Sequence, residues 1–82
     1  MANIYVGNLP YSTTDAILEE TFSSFGAVDR AKVIMDHVSG RPRGFGFVEM
    51  SSSDEAQAAI EALNGSELDG RTLVVNEARP KK

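Results

Sequence analysis

Arg43-Gly44-Phe45-Gly46-Phe47-Val48-Glu49-Met50 is the stretch that decides the fold. Read as a strand, it alternates: Phe45, Phe47 and Glu49 point to one face, Gly44, Gly46 and Val48 to the other. Two phenylalanines beside a carboxylate do not suit a core, from which unpaired charge is excluded. They suit a surface on which a flat apolar object stacks. Arg43 enters the strand where an anionic backbone would run.

Upstream, Ile4-Tyr5-Val6-Gly7-Asn8-Leu9 alternates in the same way and is rich in β-branched and aromatic residues, so it reads as a strand. Pro10 and Ser12 end it. Thr13 or Thr14 then caps a helix, with Asp15 placed well against its dipole. Leu18, Phe22 and Phe25 form the apolar stripe of that helix, and Gly26 stops it. A second strand runs from Val28 to Met35, with Val28, Ala31 and Val33 facing the core. The segment from Asp36 to Pro42 is a loop, and the opening stretch is the third strand.

Downstream, Ser52-x-x-Glu55 has the form of a capping box. The helix it starts buries Ala56, Ala59, Ile60 and Leu63, and Asn64-Gly65 ends it. Leu68 plugs the edge of the core. Asp69-Gly70 turns into a last strand from Arg71 to Ala78, with Leu73 and Val75 inward and Val74 and Asn76 outward. Residues 1–79 make one domain and 80–82 a short basic tail.

The order β-α-β-β-α-β defines an α+β, ferredoxin-like split unit. Right-handed crossovers put both helices on one face of a four-stranded antiparallel sheet of order 4-1-3-2. Nothing covers the other face. The first and third strands are its central neighbours, so Tyr5, Phe45 and Phe47 form one aromatic group there. Such a patch calls for a ligand.

The chain has 82 residues, no cysteine and a net charge of −4 at pH 7. Thiolate metal sites and disulfides are excluded, and no apolar run approaches a membrane span. An acidic chain argues at first against nucleic acid. The distribution reverses that argument. No lysine or arginine falls in either predicted helix, whereas Asp15, Glu19, Glu20, Asp54, Glu55 and Glu61 all do. The sheet side keeps the cations: Arg30 and Lys32 on the second strand, Arg41 in the loop, Arg43 on the third strand and Arg79 after the fourth.

These motifs resemble those of the RNA recognition motif family over residues 3–79. The opening stretch is similar to the family's first ribonucleoprotein motif, with Met50 standing where an aromatic is usual. Strand parity sends Met50 to the core. Ile4 to Leu9 looks like the second motif, and Phe22-x-x-Phe25-Gly26, Ala56-x-x-Ala59-Ile60-x-x-Leu63-Asn64-Gly65 and Leu68-Asp69-Gly70-Arg71 are similar to the family as well. The resemblance implies that Tyr5, Phe45 and Phe47 stack bases of single-stranded RNA and that Arg43 pairs with phosphate. It points to a small single-domain RNA-binding protein of bacterial type, monomeric and cytoplasmic, with no cofactor, metal or membrane partner. Arg30, Lys32, Arg41 and Arg79 would surround the rings with phosphate-binding charge, and Asn8, Asn76 and Glu77 are candidates for base selection. Single-stranded DNA is a second possible ligand.

Two other functions fit the same fold. A protein-interaction module would use the aromatic face or the acidic helices. An enzyme such as an acyl phosphatase would need an arginine and an asparagine around a phosphate cradle, which the sequence does not show. His37 has no histidine or cysteine partner for a metal, and Asp36 and Glu49 lack a neighbouring base or nucleophile.

Overall fold

A computed structural model describes residues 2–78, with Pro42 and Arg43 described in backbone only. The elements are β1 (Ala2–Gly7), α1 (Asp15–Ser23), β2 (Val28–Met35), β3 (Pro42–Met50), α2 (Ser53–Leu63), β4 (Glu67–Leu68), β5 (Arg71–Thr72) and β6 (Val74–Ala78). The main sheet has the order β2-β3-β1-β6, and every pairing in it is antiparallel. This is the expected ferredoxin-like order, with β6 in the place of the fourth strand.

The last strand is shorter than its sequence suggests. Arg71 and Thr72 pair with Leu68 and Glu67 in a separate hairpin, turned by Asp69 and Gly70 at φ 50° and 82°. The Leu73 N–H then donates to Ser66 O at 2.8 Å, and its carbonyl accepts from Gly65 N–H at 2.9 Å. Both backbone groups of Leu73 are thereby held by the segment after α2, and pairing with β1 begins only at Val74.

Each helix starts on a hydroxyl cap, and each adds a bond that sequence reading does not supply. Thr14 Oγ1 accepts from the Ile17 N–H at 3.3 Å, so Thr14 is the cap and Thr13 is buried. The adjacent Asp15 carboxylate accepts from the Val33 N–H on edge strand β2 at 2.7 Å. Ser52 Oγ accepts from the Glu55 N–H at 3.3 Å. The return half of the expected capping box is replaced: the Glu55 carboxylate accepts from the Ala27 N–H in the α1–β2 loop at 3.3 Å.

The core lies between the helices and one sheet face. Ile4, Val6, Leu18, Phe22, Val48, Met50, Ala59 and Val75 are all buried, and Met50 is 0% exposed. The departure at Met50 is therefore a packing side chain that never reaches the open face. Phe25, Val28, Ala31, Ile60, Leu63 and Leu68 pack around the margin. Val28 and Ala31 share a face although three residues apart, because β2 bulges between the pairs Val28–Met50 and Arg30–Glu49.

The two glycines of the opening stretch have different reasons. A Cβ on Gly46 would lie 2.5 Å from Lys32 O and 3.2 Å from Leu18 Cδ2. Its bare backbone lets α1 approach the sheet. Gly44 does not serve helix packing. It sits at φ 88°, a left-handed conformation that favours glycine, and its carbonyl accepts from the Leu9 N–H at 2.8 Å. No helix among the described residues is long and apolar enough to cross a membrane.

Candidate nucleic-acid interface

Opposed residues in an antiparallel sheet share a face, so the registers lay out the open surface as ranks. The central rank crosses all four strands: Lys32 faces Phe47, Phe47 faces Tyr5, and Tyr5 faces Asn76. The rank toward the chain's N-terminus is Arg30, Glu49, Asn3 and Ala78. On the other side, Phe45 faces Gly7, and Gly7 faces Val74. Five of the expected site residues thus stand on one surface: Tyr5, Phe45, Phe47, Lys32 and Asn76.

The three rings form a triangle. Tyr5 lies 5.9 Å from Phe45 and 5.8 Å from Phe47, centroid to centroid, and Phe45 lies 6.2 Å from Phe47. They do not make one plane. Tyr5 and Phe45 are tilted by 31°, whereas Phe45 and Phe47 are nearly perpendicular at 89°. Edge-to-face contact is favourable for aromatic pairs and holds each ring in place. Phe47 is 38% exposed, and Tyr5 and Phe45 are half-buried. Each ring offers its own facet to a stacking partner.

Gly7 explains how Tyr5 is oriented. A Cβ there would come within 2.8 Å of Tyr5 Oη and 2.9 Å of its ring. The tyrosine ring therefore lies along β1 over the glycine, which is buried beneath it. The glycine of the second motif makes room for the aromatic of the same motif.

Beside Phe45 is a hollow lined by residues that include Tyr5, Asn8, Tyr11, Gly44, Phe45 and Arg71. The Arg71 guanidinium lies 5.7 Å from the centroid of the Tyr11 ring, in range of a cation–π contact, and donates to Asn8 Oδ1 at 3.3 Å. The Asn8 amide donates in turn to Thr72 O at 2.6 Å. Asn8, a candidate for base selection, is exposed, and both ends of its amide join β1 to the β4–β5 hairpin. Tyr11 and Arg71 escape sequence reading, although Tyr11, at 66% exposure, is an aromatic that no apolar stripe accounts for.

Arg41 is exposed just ahead of β3, and its carbonyl accepts from the Asp36 N–H at 2.8 Å. Arg43 is placed on β3 by its backbone, and its side chain is outside the described set, as are Arg79 and the tail 80–82. Neither helix carries a lysine or arginine, so the acidic helical side and the sheet side with Arg30 and Lys32 are opposite surfaces. Among the described residues, no three histidines, cysteines or carboxylates gather as a metal site.

The chain is similar to known proteins over nearly all its length. A family model described as the RNA recognition motif matches residues 4–74. RbpE of Nostoc sp. (strain PCC 7120) is 54% identical over 80 residues, covering 98% of this chain and 81% of that protein. The crystal structure of RNA-binding protein PG1 superposes with a TM-score of 0.93 at 48% identity, covering 99% of this chain and all of that one. A Sxl-lethal protein/RNA complex gives a TM-score of 0.92 at 32% identity, over 99% of this chain and 48% of the other.

Proposed function

The chain belongs to the RNA recognition motif family, and on that premise we propose that it binds single-stranded RNA across the open face of its sheet. The observation that carries this reading is the triangle of Tyr5, Phe45 and Phe47 on a sheet face that no described element covers. Bases present π-faces, and each one stacked on an aromatic contributes roughly 1–3 kcal/mol. Two or three such bases supply most of a micromolar affinity, about −8 kcal/mol. PG1 is named an RNA-binding protein, and the Sxl-lethal structure is a complex with RNA. Both support the same use of the fold here.

In this reading Lys32, Arg41, Arg43 and Arg79 meet phosphates, and Asn76 reads a base beside Tyr5. Asn8 acts indirectly, by holding Arg71 at the edge of the Tyr11 hollow. Phosphate contacts position the strand and base contacts select it. The protein acts as a cytoplasmic monomer that binds and does not catalyse. Single-stranded DNA would share the stacking and lack any contact made to a 2′-hydroxyl.

The test is an NMR titration with short randomised RNA and DNA oligomers. Amide shifts along the four strands of the open face, centred on β1 and β3, and in their flanking loops are expected. Shifts confined to α1 and α2, or none with either nucleic acid, would overturn the proposal.

A further inference from the structure

Between the central rank and the Arg30–Glu49–Asn3 rank the sheet carries an open hollow of about 400 Å³. Phe47 is part of its wall, with Glu49, Arg30, Lys32 and Asn3 around it. Glu49 is the anomaly. A carboxylate repels phosphate, yet this one is half-buried on the face where the strand would lie. Arg30 is its register partner, but among the described residues the Glu49 side chain makes no ion pair or hydrogen bond. An ionised carboxylate accepts only. Its lone pairs are thus open to a donor brought in by a ligand.

A base stacked on Phe47 would present its edge to this hollow, and the four bases differ in what they offer. Guanine has two adjacent donors, N1–H and the 2-amino group, with the O6 acceptor next to them. Adenine and cytosine each place one amino donor beside a ring nitrogen that accepts. Uracil has one N–H between two carbonyls. Only guanine matches a carboxylate with two parallel hydrogen bonds, the strong charge-assisted arrangement. It also needs a donor beside that carboxylate for O6, and Arg30 stands there. Any other base would leave the carboxylate facing a lone pair.

Resting on the RNA-binding reading above, we infer that this hollow is a guanine-selective subsite. Glu49 accepts from N1–H and the 2-amino group, Arg30 donates to O6, and Phe47 stacks the ring. The selectivity resides in the pairing of an acceptor with a neighbouring cation across β3 and β2.

Fluorescence anisotropy with labelled pentauridylate and its five single-guanosine variants tests this. Wild type should bind at least one guanosine variant about 10-fold more tightly than pentauridylate, the usual scale of one bidentate base contact. Inosine at that position, lacking the 2-amino group, should fall between them, and adenosine should gain nothing. Glu49→Gln, nearly isosteric, should reduce the guanosine preference to under about 2-fold, with a thermal melt reporting that the variant is folded. Equal affinity for all six oligomers, or a Glu49→Gln protein that keeps the preference, overturns the guanine subsite while leaving RNA binding intact. Binding to none of them overturns both readings.

Discussion

Tyr5 of β1 and Phe47 of β3 are register partners whose ring centroids stand 5.8 Å apart at an interplanar angle of 65°. The pair occupies the middle of a rank that Lys32 and Asn76 complete at the two edges. The aromatic surface is therefore tied to the backbone ladder, and its rings brace one another. That bracing shapes what a truncation would do.

Phe47→Ala and Phe45→Ala should each weaken RNA binding by about 1–3 kcal/mol, or ~5- to 150-fold. The fold should survive, because both rings are on the open face and outside the buried core. Phe47 is the more exposed, so its truncation should cost less stability than that of Phe45. Anisotropy titrations with matched circular dichroism melts separate the two effects. Unchanged affinity in both folded variants would remove the stacking model.

Lys32 is opposite Phe47 and exposed, so in the proposed complex it would flank a base stacked on that ring. Lys32→Ala should weaken binding to different sequences alike. It should also flatten the dependence of log K on log salt by about 0.7, the contribution of one phosphate contact to a single strand. A variant with the wild-type slope would place Lys32 outside the phosphate path.

The fold and the aromatic triangle were legible from sequence for a local reason. A strand's period of two assigns faces without knowledge of partners, so Tyr5, Phe45, Phe47 and even the misfit Met50 fell on the correct sides. What stayed hidden depends on contacts distant along the chain. Asn8 is bound to Thr72, 64 residues away, and Asp15 to Val33, 18 residues away. No local pattern distinguishes such residues from ordinary polar loop and helix positions. The short hairpin of Glu67–Leu68 with Arg71–Thr72 was missed because the backbone bonds of Leu73 split an otherwise continuous strand pattern.

Asn8 combines two demands, and they can be measured apart. It sits at φ 58°, where most side chains are strained by roughly 1–2 kcal/mol, and its amide joins two segments. Asn8→Gly should lose the hydrogen bonds and keep the backbone conformation, costing about 1–2 kcal/mol. Asn8→Ala should lose both and cost about 1 kcal/mol more, a further drop of roughly 4–8 °C in Tm for a domain of this size. Equal melting temperatures for the two variants would show that backbone strain contributes nothing at this position.

Gly7 and Gly46 both lie on central strands, yet alanine at each should fail in a different way. At Gly46 the new Cβ would meet the backbone carbonyl of Lys32 at 2.5 Å. Backbone cannot swing aside without separating β2 from β3, so overpacking of about 1–3 kcal/mol is expected in a urea melt. At Gly7 the obstacle is the far end of the Tyr5 side chain, 2.8 Å away. A ring can rotate off its strand at small cost, and φ at Gly7 is not among the positive values. Gly7→Ala should therefore stay within about 1 kcal/mol of wild-type stability. Its RNA affinity should fall by about 1 kcal/mol, or ~5-fold, as Tyr5 leaves the triangle. A Gly7→Ala protein that melts early and binds normally, with Gly46→Ala doing the reverse, would mean that the two glycines had been assigned to the wrong roles.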